Sequence, residues 1–236
     1  NAKNVPIIYD LVKPEGGNRE GYAVNSLFSI NYQGLNHIDG IPQFINEYGV
    51  ASEGVDVQSD SVQYLVYSGT LDPKFTGGFN TTFNYKNFSL NFFITYQGGN
   101  KIRLYPSFRS SYVDFDALPK EFNDRWLEPG DERVTYIPQI SDEFYGYKVG
   151  NQSFYPYNNY NYSDKQVADG GFIRLKTVSL SYQLGAQSVK KLDFVKNLSF
   201  TAAVTNPWLI YSDKKLKGQD PEFFNAGGVA QPLQKQ

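Results

Sequence analysis

The chain has 236 residues, a formal net charge of −2, no cysteine and a single histidine, His37. This balance offers no electrostatic basis for binding nucleic acid, and the missing thiols exclude a disulfide framework or a thiolate metal site. One histidine rules out a His-rich metal cluster and leaves little for a Ser-His-Asp triad, while 19 Tyr, 18 Phe and 21 Gly favour β-structure and suit a membrane interface.

Residues 1–68 read as an irregular opening segment, carrying Pro6, Pro14, Gly16 and Gly17, followed by a weakly alternating strand over Ser26–Tyr32 and a turn-rich stretch from Gly34 to Gly40. Residues 69–97 hold the clearest pattern. Phe79, Thr81, Phe83 and Tyr85 alternate with Asn80, Thr82 and Asn84, and Phe88, Leu90, Phe92, Ile94 and Tyr96 alternate with Ser89, Asn91, Thr95 and Gln97. Phe93 is the exception on the polar side. Period-2 alternation on both sides of Lys86-Asn87 predicts a β-hairpin. Gly77 and Gly78 fit a strand bend or a close approach.

Residues 98–170 are long and mostly non-alternating. Leu118, Phe122 and Trp126, spaced by four after Pro119, predict one short helix that Pro129-Gly130 stops. Residues 171–236 return to alternation. Val178, Leu180 and Tyr182 oppose Thr177, Ser179 and Ser181 within Phe172–Leu184, and Leu198, Phe200, Ala202 and Val204 oppose Ser199, Thr201 and Thr205 within Asn197–Thr205.

These strands have the ~9–11 residues that a tilted membrane strand needs, and no apolar run reaches the ~20 residues of a spanning helix. Their polar faces carry Asn, Thr, Ser and Gln, which suit a wet lumen wall. A short turn at one strand end and a long excursion at the other is a membrane-barrel habit. The pattern predicts an all-β fold, an antiparallel transmembrane β-barrel segment with long outer loops. Its lipid-facing row is Phe79, Phe83, Leu90, Phe92, Ile94, Val178, Leu180, Leu198 and Phe200, with Tyr85, Phe88, Tyr96 and Tyr182 at the girdles. A water-soluble β-sandwich, such as a carbohydrate-binding module, alternates too and stays as the alternative. A glycan hydrolase fragment is weaker still.

Several stretches together resemble the SusC/RagA family of TonB-dependent outer-membrane transporters of the Bacteroidetes. They are Gly34-Leu35 with Asp39-Gly40-Ile41-Pro42, Tyr67–Phe79, Tyr85–Leu90, Asp124-Arg125-Trp126 with Pro129-Gly130-Asp131-Glu132, Asp169–Lys176, Val178–Tyr182 and Lys217–Glu222. The resemblance implies the C-terminal part of a barrel of about 22 strands, of which this chain supplies about six to eight by the ~10-residue strand rule. It further implies a plug and a TonB-contacting region outside the chain, an absent terminal strand, and a Gram-negative outer-membrane location. Import of oligosaccharide or peptide with a SusD-like surface lipoprotein follows as well. The lack of Met and the initial Asn fit a processed chain or a piece of a longer one.

No catalytic residue, cofactor or metal site is expected. His37 lacks companion ligands, and Asp39, Asp56 and Asp60 match no EF-hand spacing. Glu128/Asp131 and Asp142/Glu143 are sequence neighbours, whereas glycosidase chemistry needs two carboxyls across a cleft. No phosphate loop or nucleophile elbow is present. The aromatic and Asn-rich stretch from Phe144 to Tyr162, together with Trp126, is the best candidate for contact with a ligand or partner, through Tyr145, Tyr147, Tyr155 and Tyr157. Packing of these rings within the protein is the competing reading.

Overall fold

A computed structural model describes residues 5–106, 108, 118, 120–140, 147–149, 152–185, 197–224 and 230–232. The chain forms two compact units. One is assembled from residues 1–72, 100–168 and 216–236, and the other from residues 73–99 and 169–215.

The first unit is a patchwork of short elements around a hydrophobic core. In chain order it holds helix α1 (Ile8–Val12) and strands β1 (Ser26–Ser29), β2 (Tyr32–Leu35), β3 (Pro42–Ile45), β4 (Ala51–Ser52) and β5 (Val66–Thr70). Strand β1 pairs with β5, and β2, β3 and β4 form a three-stranded sheet. Ile8, Val12, Ile30, Phe44 and Val55 from this part pack with Phe108, Phe122, Ile137, Tyr157 and Tyr160 from the long segment that follows. Full burial of each such side chain stabilises by about 1.5–3 kcal/mol.

The second unit is one antiparallel sheet. Its first two strands are β6 (Phe75–Tyr85) and β7 (Phe88–Gly98), paired from Phe75↔Gly98 to Tyr85↔Phe88, so Lys86 and Asn87 alone make the turn. Lys86 supplies the positive φ, 50°, that a two-residue hairpin turn requires.

Among the described residues four small strands lie between this hairpin and the rest of the sheet, the first three being β8 (Lys101–Arg103), β9 (Tyr147–Val149) and β10 (Gln152–Phe154). The segment expected to carry a helix at Leu118, Phe122 and Trp126 instead makes a 3-10 turn over Lys120–Asp124 and another over Asp131–Arg133. Phe122 and Trp126 are buried while Leu118 is 46% exposed, so the four-residue spacing is not a single packed face. The α-helix of this region is α2 (Pro156–Asn161), which Pro156 opens at a first-turn position where its missing N–H costs nothing. Strand β11 (Val167–Asp169) then pairs with β8.

The sheet resumes with β12 (Phe172–Gln183) and β13 (Ser199–Ser212), giving the order β13-β12-β7-β6. Each sequential strand neighbours the last, and residues 99–171 join β7 to β12 at the end opposite the Lys86-Asn87 turn. Strand β13 continues well past Thr205. Asn206 takes φ 51° and the register slips between Leu175 and Thr177, so the ladder absorbs Asn206-Pro207 as a bulge. Pro207 lacks an N–H and sits on an outermost strand, where a sheet tolerates it. Strands β14 (Gln219–Phe224) and β15 (Ala230–Pro232) pair with each other in the first unit. No helix among the described residues is long and apolar enough to cross a membrane, which says nothing of strands.

Candidate functional site

The ladder of the sheet decides which side chains share a face. Phe79 pairs with Ile94, Phe83 with Leu90 and Thr81 with Phe92. Leu90 pairs with Leu180, and Phe92 with Val178. Tyr182 pairs with Phe200, and Val178 with Val204. By this register Phe79, Phe83, Leu90, Phe92, Ile94, Val178, Leu180 and Phe200 occupy one face, and Leu198 lies just before β13 at the same parity. The face is open: Phe79, Phe83 and Phe200 are 58–61% exposed. Phe83 and Phe92 meet edge to face at 6.3 Å.

Aromatic rings gather at both ends of that face. Tyr85, Phe88, Tyr182 and Phe200 mark the short-turn end, where the Phe88 and Tyr182 rings meet at a 43° tilt with centroids 4.7 Å apart. Phe75, Tyr96, Trp208 and Tyr211 mark the other end, opposite Gly98, Gly77, Leu175 and Ile173. An eleven-residue strand tilted by ~45° rises roughly 25 Å, the height of the apolar band on a membrane barrel.

The opposite face carries hydrogen-bonding groups. Asn91 Nδ2 donates to Asn80 Oδ1 at 2.8 Å and to Thr82 Oγ1 at 2.9 Å, and the Ser181 and Thr201 hydroxyls lie 2.9 Å apart. Phe93 interrupts this face because its ring covers Gly78, where an added Cβ would come within 3.0 Å of Cε2. The Tyr96 phenol covers Gly77 in the same way on the apolar face, its hydroxyl and ring edge filling the place of an added Cβ. The two glycines leave room for cross-strand aromatic rings.

The first unit gathers the charged and aromatic loop residues. His37 Nδ1 lies 2.9 Å from Glu132 Oε1, while Glu132 Oε2 accepts from Gly130 N at 2.8 Å and from Trp126 Nε1 at 3.4 Å. The His37 hydrogen bond, with help from these donors, holds the Glu132 carboxyl down to about 2. Trp126 is 5% exposed and its ring lies against Gly40, whose φ of 65° a glycine adopts freely. Asp39 and Asp56 each spend a carboxylate oxygen on the N–H two residues ahead, Ile41 and Gln58, as turn residues do. Asp131 Oδ2 likewise accepts from Leu127 N and Glu128 N. Asp142 and Glu143 lie outside the described residues.

Of the aromatic candidates, Tyr157 is 1% exposed in the core, while Tyr155 is 37% exposed. Tyr147 lies in β9, and Tyr145 is outside the described residues. Tyr160 is buried, donates to Tyr136 O at 3.0 Å, and has its phenol pushed well up by burial. Asn161 Nδ2 donates to Phe108 O at 2.7 Å. Tyr157, Asn159, Tyr160 and Asn161 of the Tyr- and Asn-rich stretch thus build the interior of the unit.

Arg103 went unmarked in the sequence. Its guanidinium is buried, donating to Phe28 O at 2.8 Å, Ser163 O at 3.1 Å, Asn161 O at 3.2 Å and Ser29 Oγ at 3.2 Å. Burial pushes it down to about 9, against the pull of Tyr162 and Asp164. No local pattern separates this arginine from a surface one.

No protein-family model matches the chain. It is 29% identical to "TonB-dependent receptor P39" of Formosa agariphila over 181 residues, 75% of this chain and 16% of that protein. It is also 29% identical to "TonB-dependent receptor P26" of the same organism over 169 residues, 71% of this chain and 15% of that one. Among solved structures, the RagAB peptide transporter superposes with a TM-score of 0.57 at 16% identity, over 88% of this chain and 20% of that chain. The RagAB peptide importer in its closed-closed state gives 0.57 at 18% identity, over 87% and 21%. The chain is similar in sequence to these TonB-dependent receptors and has the fold of part of the RagAB transporter. It spans about a sixth of the length of the curated relatives it matches, and its open sheet is the fold of a barrel wall.

Proposed function

We propose that this SusC/RagA-like chain forms wall and outer loops of an outer-membrane importer that takes up oligosaccharide or peptide with energy passed from TonB. The strands within residues 69–97 and 171–212 form wall, with Phe79, Phe83, Leu90, Phe92, Ile94, Val178, Leu180, Leu198 and Phe200 against lipid. Residues 98–170 build the outward vestibule. A SusD-like surface lipoprotein lids it, and among the described residues of the stretch Tyr155, 37% exposed, is the aromatic that meets ligand or lipoprotein. TonB acts through a region outside this chain. The work is binding, opening and passage, with no bond chemistry.

One observation carries this reading. The sheet exposes a largely apolar face between two aromatic bands and turns most of its amides and hydroxyls the other way, as a membrane wall does. Peptide uptake draws support from the RagAB transporter, whose cargo is peptide. The test places Phe83→Lys or Leu180→Lys in the whole transporter and measures its amount in the outer membrane. Both variants should fall sharply while Thr82→Lys, on the other face, stays near normal. Normal levels of the first two overturn the lipid-facing assignment. A purified protein that stays monodisperse without detergent would favour the carbohydrate-binding module instead.

A further inference from the structure

The 3-10 turn that ends at Asp124 opens onto a cavity of about 570 Å³. Asp124, Arg125, Asp131, Thr135, Tyr136 and Lys217 line it. The volume lies within the ~300–1,000 Å³ usual for small-ligand sites. Two of the four charged side chains are already committed. Asp131 holds its turn through Leu127 N at 2.9 Å and Glu128 N at 3.1 Å, and Lys217 Nζ pairs with Glu121. Arg125 differs. Its half-buried guanidinium donates from Nη1 to Phe122 O at 2.8 Å, and among the described residues it has no other hydrogen bond and no carboxylate partner.

A guanidinium has five N–H donors in a planar fork that matches a carboxylate edge to edge. One bond to a carbonyl leaves most of that fork unused beside an open cavity. Asp124 and Asp131, which also line the cavity, add a sign filter. Two nearby carboxylates oppose a doubly charged phosphate or sulfate, whereas a singly charged carboxylate feels the guanidinium at shorter range.

We infer that this cavity is a carboxylate-binding subsite with Arg125 as its anchor. The inference rests on the import reading and specifies one group that the cargo carries. Two sources offer that group: the C-terminus of a short peptide and the uronate of an acidic glycan.

The test uses the whole transporter in detergent and calorimetric titration with tri-alanine, tri-alanine amide and trigalacturonate. Tri-alanine should bind about tenfold or more tighter than its amide, as expected for a charge-assisted pair. Arg125→Gln should erase that difference with an unchanged melting temperature, and Arg125→Lys should retain part of it. Dependence on Arg125 for trigalacturonate, with none for tri-alanine, keeps the subsite and makes the cargo an acidic sugar. Equal affinity for acid and amide, with trigalacturonate binding indifferent to Arg125, overturns the subsite. So does failure of both acids to bind. The acid–amide comparison on the unmodified protein holds even where a variant misfolds. TonB-dependent uptake that persists while acid and amide behave alike and trigalacturonate is indifferent to Arg125 sinks the subsite and leaves the import reading standing.

Discussion

The unit assembled from residues 1–72, 100–168 and 216–236 keeps a buried apolar core; in the sheet of residues 73–99 and 169–215 the apolar side chains turn outward. Of the buried hydrophobic side chains among the described residues, Phe172 alone belongs to the sheet. Phe79, Phe83, Phe200 and Trp208 instead stand 58–64% exposed. The first unit resembles an ordinary water-soluble interior. The second lacks any interior of its own, and its apolar area is stabilising only when something apolar covers it. Burial statistics over the whole chain would average these two behaviours into a poorly packed protein and hide both.

The comparison breaks first at Arg103. Replacing it with Met removes the donor from three buried carbonyl oxygens, Phe28, Asn161 and Ser163, at about 1–3 kcal/mol for each one stranded. Arg103→Met should therefore abolish protease resistance of the loop unit while the strands still reach the membrane; unchanged resistance would show that water replaces the guanidinium. Next in size is the face reversal in the sheet. Phe83→Lys should cost about 2–4 kcal/mol if it meets the middle of a bilayer, and Thr82→Lys next to it little, read as folded fraction in urea with lipid vesicles. Equal costs would mean that the two faces see the same surroundings.

Gly77→Val should cost about 1–3 kcal/mol because the Tyr96 ring already fills the space above the backbone. A companion Tyr96→Ala should relieve the crowding, and a double-mutant cycle with no coupling would refute that account. The smallest effect belongs to the exposed loop pair. Glu132 titrates lower in the folded protein than an ordinary carboxylate, so its contribution is present above about pH 4 and fades as pH falls through about 2. Glu132→Gln should lower the melting temperature slightly near neutral pH and not at all below pH 2, where the two melting curves should coincide.

The hairpin β6–β7 was legible because its alternation, its two-residue turn and its length all agree on one state. Even the Phe93 exception has a partner in the sequence, since Gly78 lies diagonally across the ladder. The far half of β13 was not legible: Asn206-Pro207 breaks the alternation and reads as a stop, whereas the ladder takes it up as a bulge. The interior of residues 98–170 was hidden for another reason. Ile102, Phe122, Ile137, Tyr157 and Tyr160 are buried by neighbours distant in the chain, so neither a period of two nor one of 3.6 marks them. Arg125 stood inside a recognised stretch, but its unused fork became visible only beside the cavity.

Arg103 also sets a timetable. Its four acceptors lie 58 to 75 positions away, before the hairpin on one side and at or just past the end of α2 on the other. A chain emerging from the ribosome must therefore expose Phe28 and Ile30 until Ser163 has been made. Closing so wide a ring costs entropy before any burial rewards it. Until then the half-made unit is a client for whatever keeps sticky chains apart on the way to their destination.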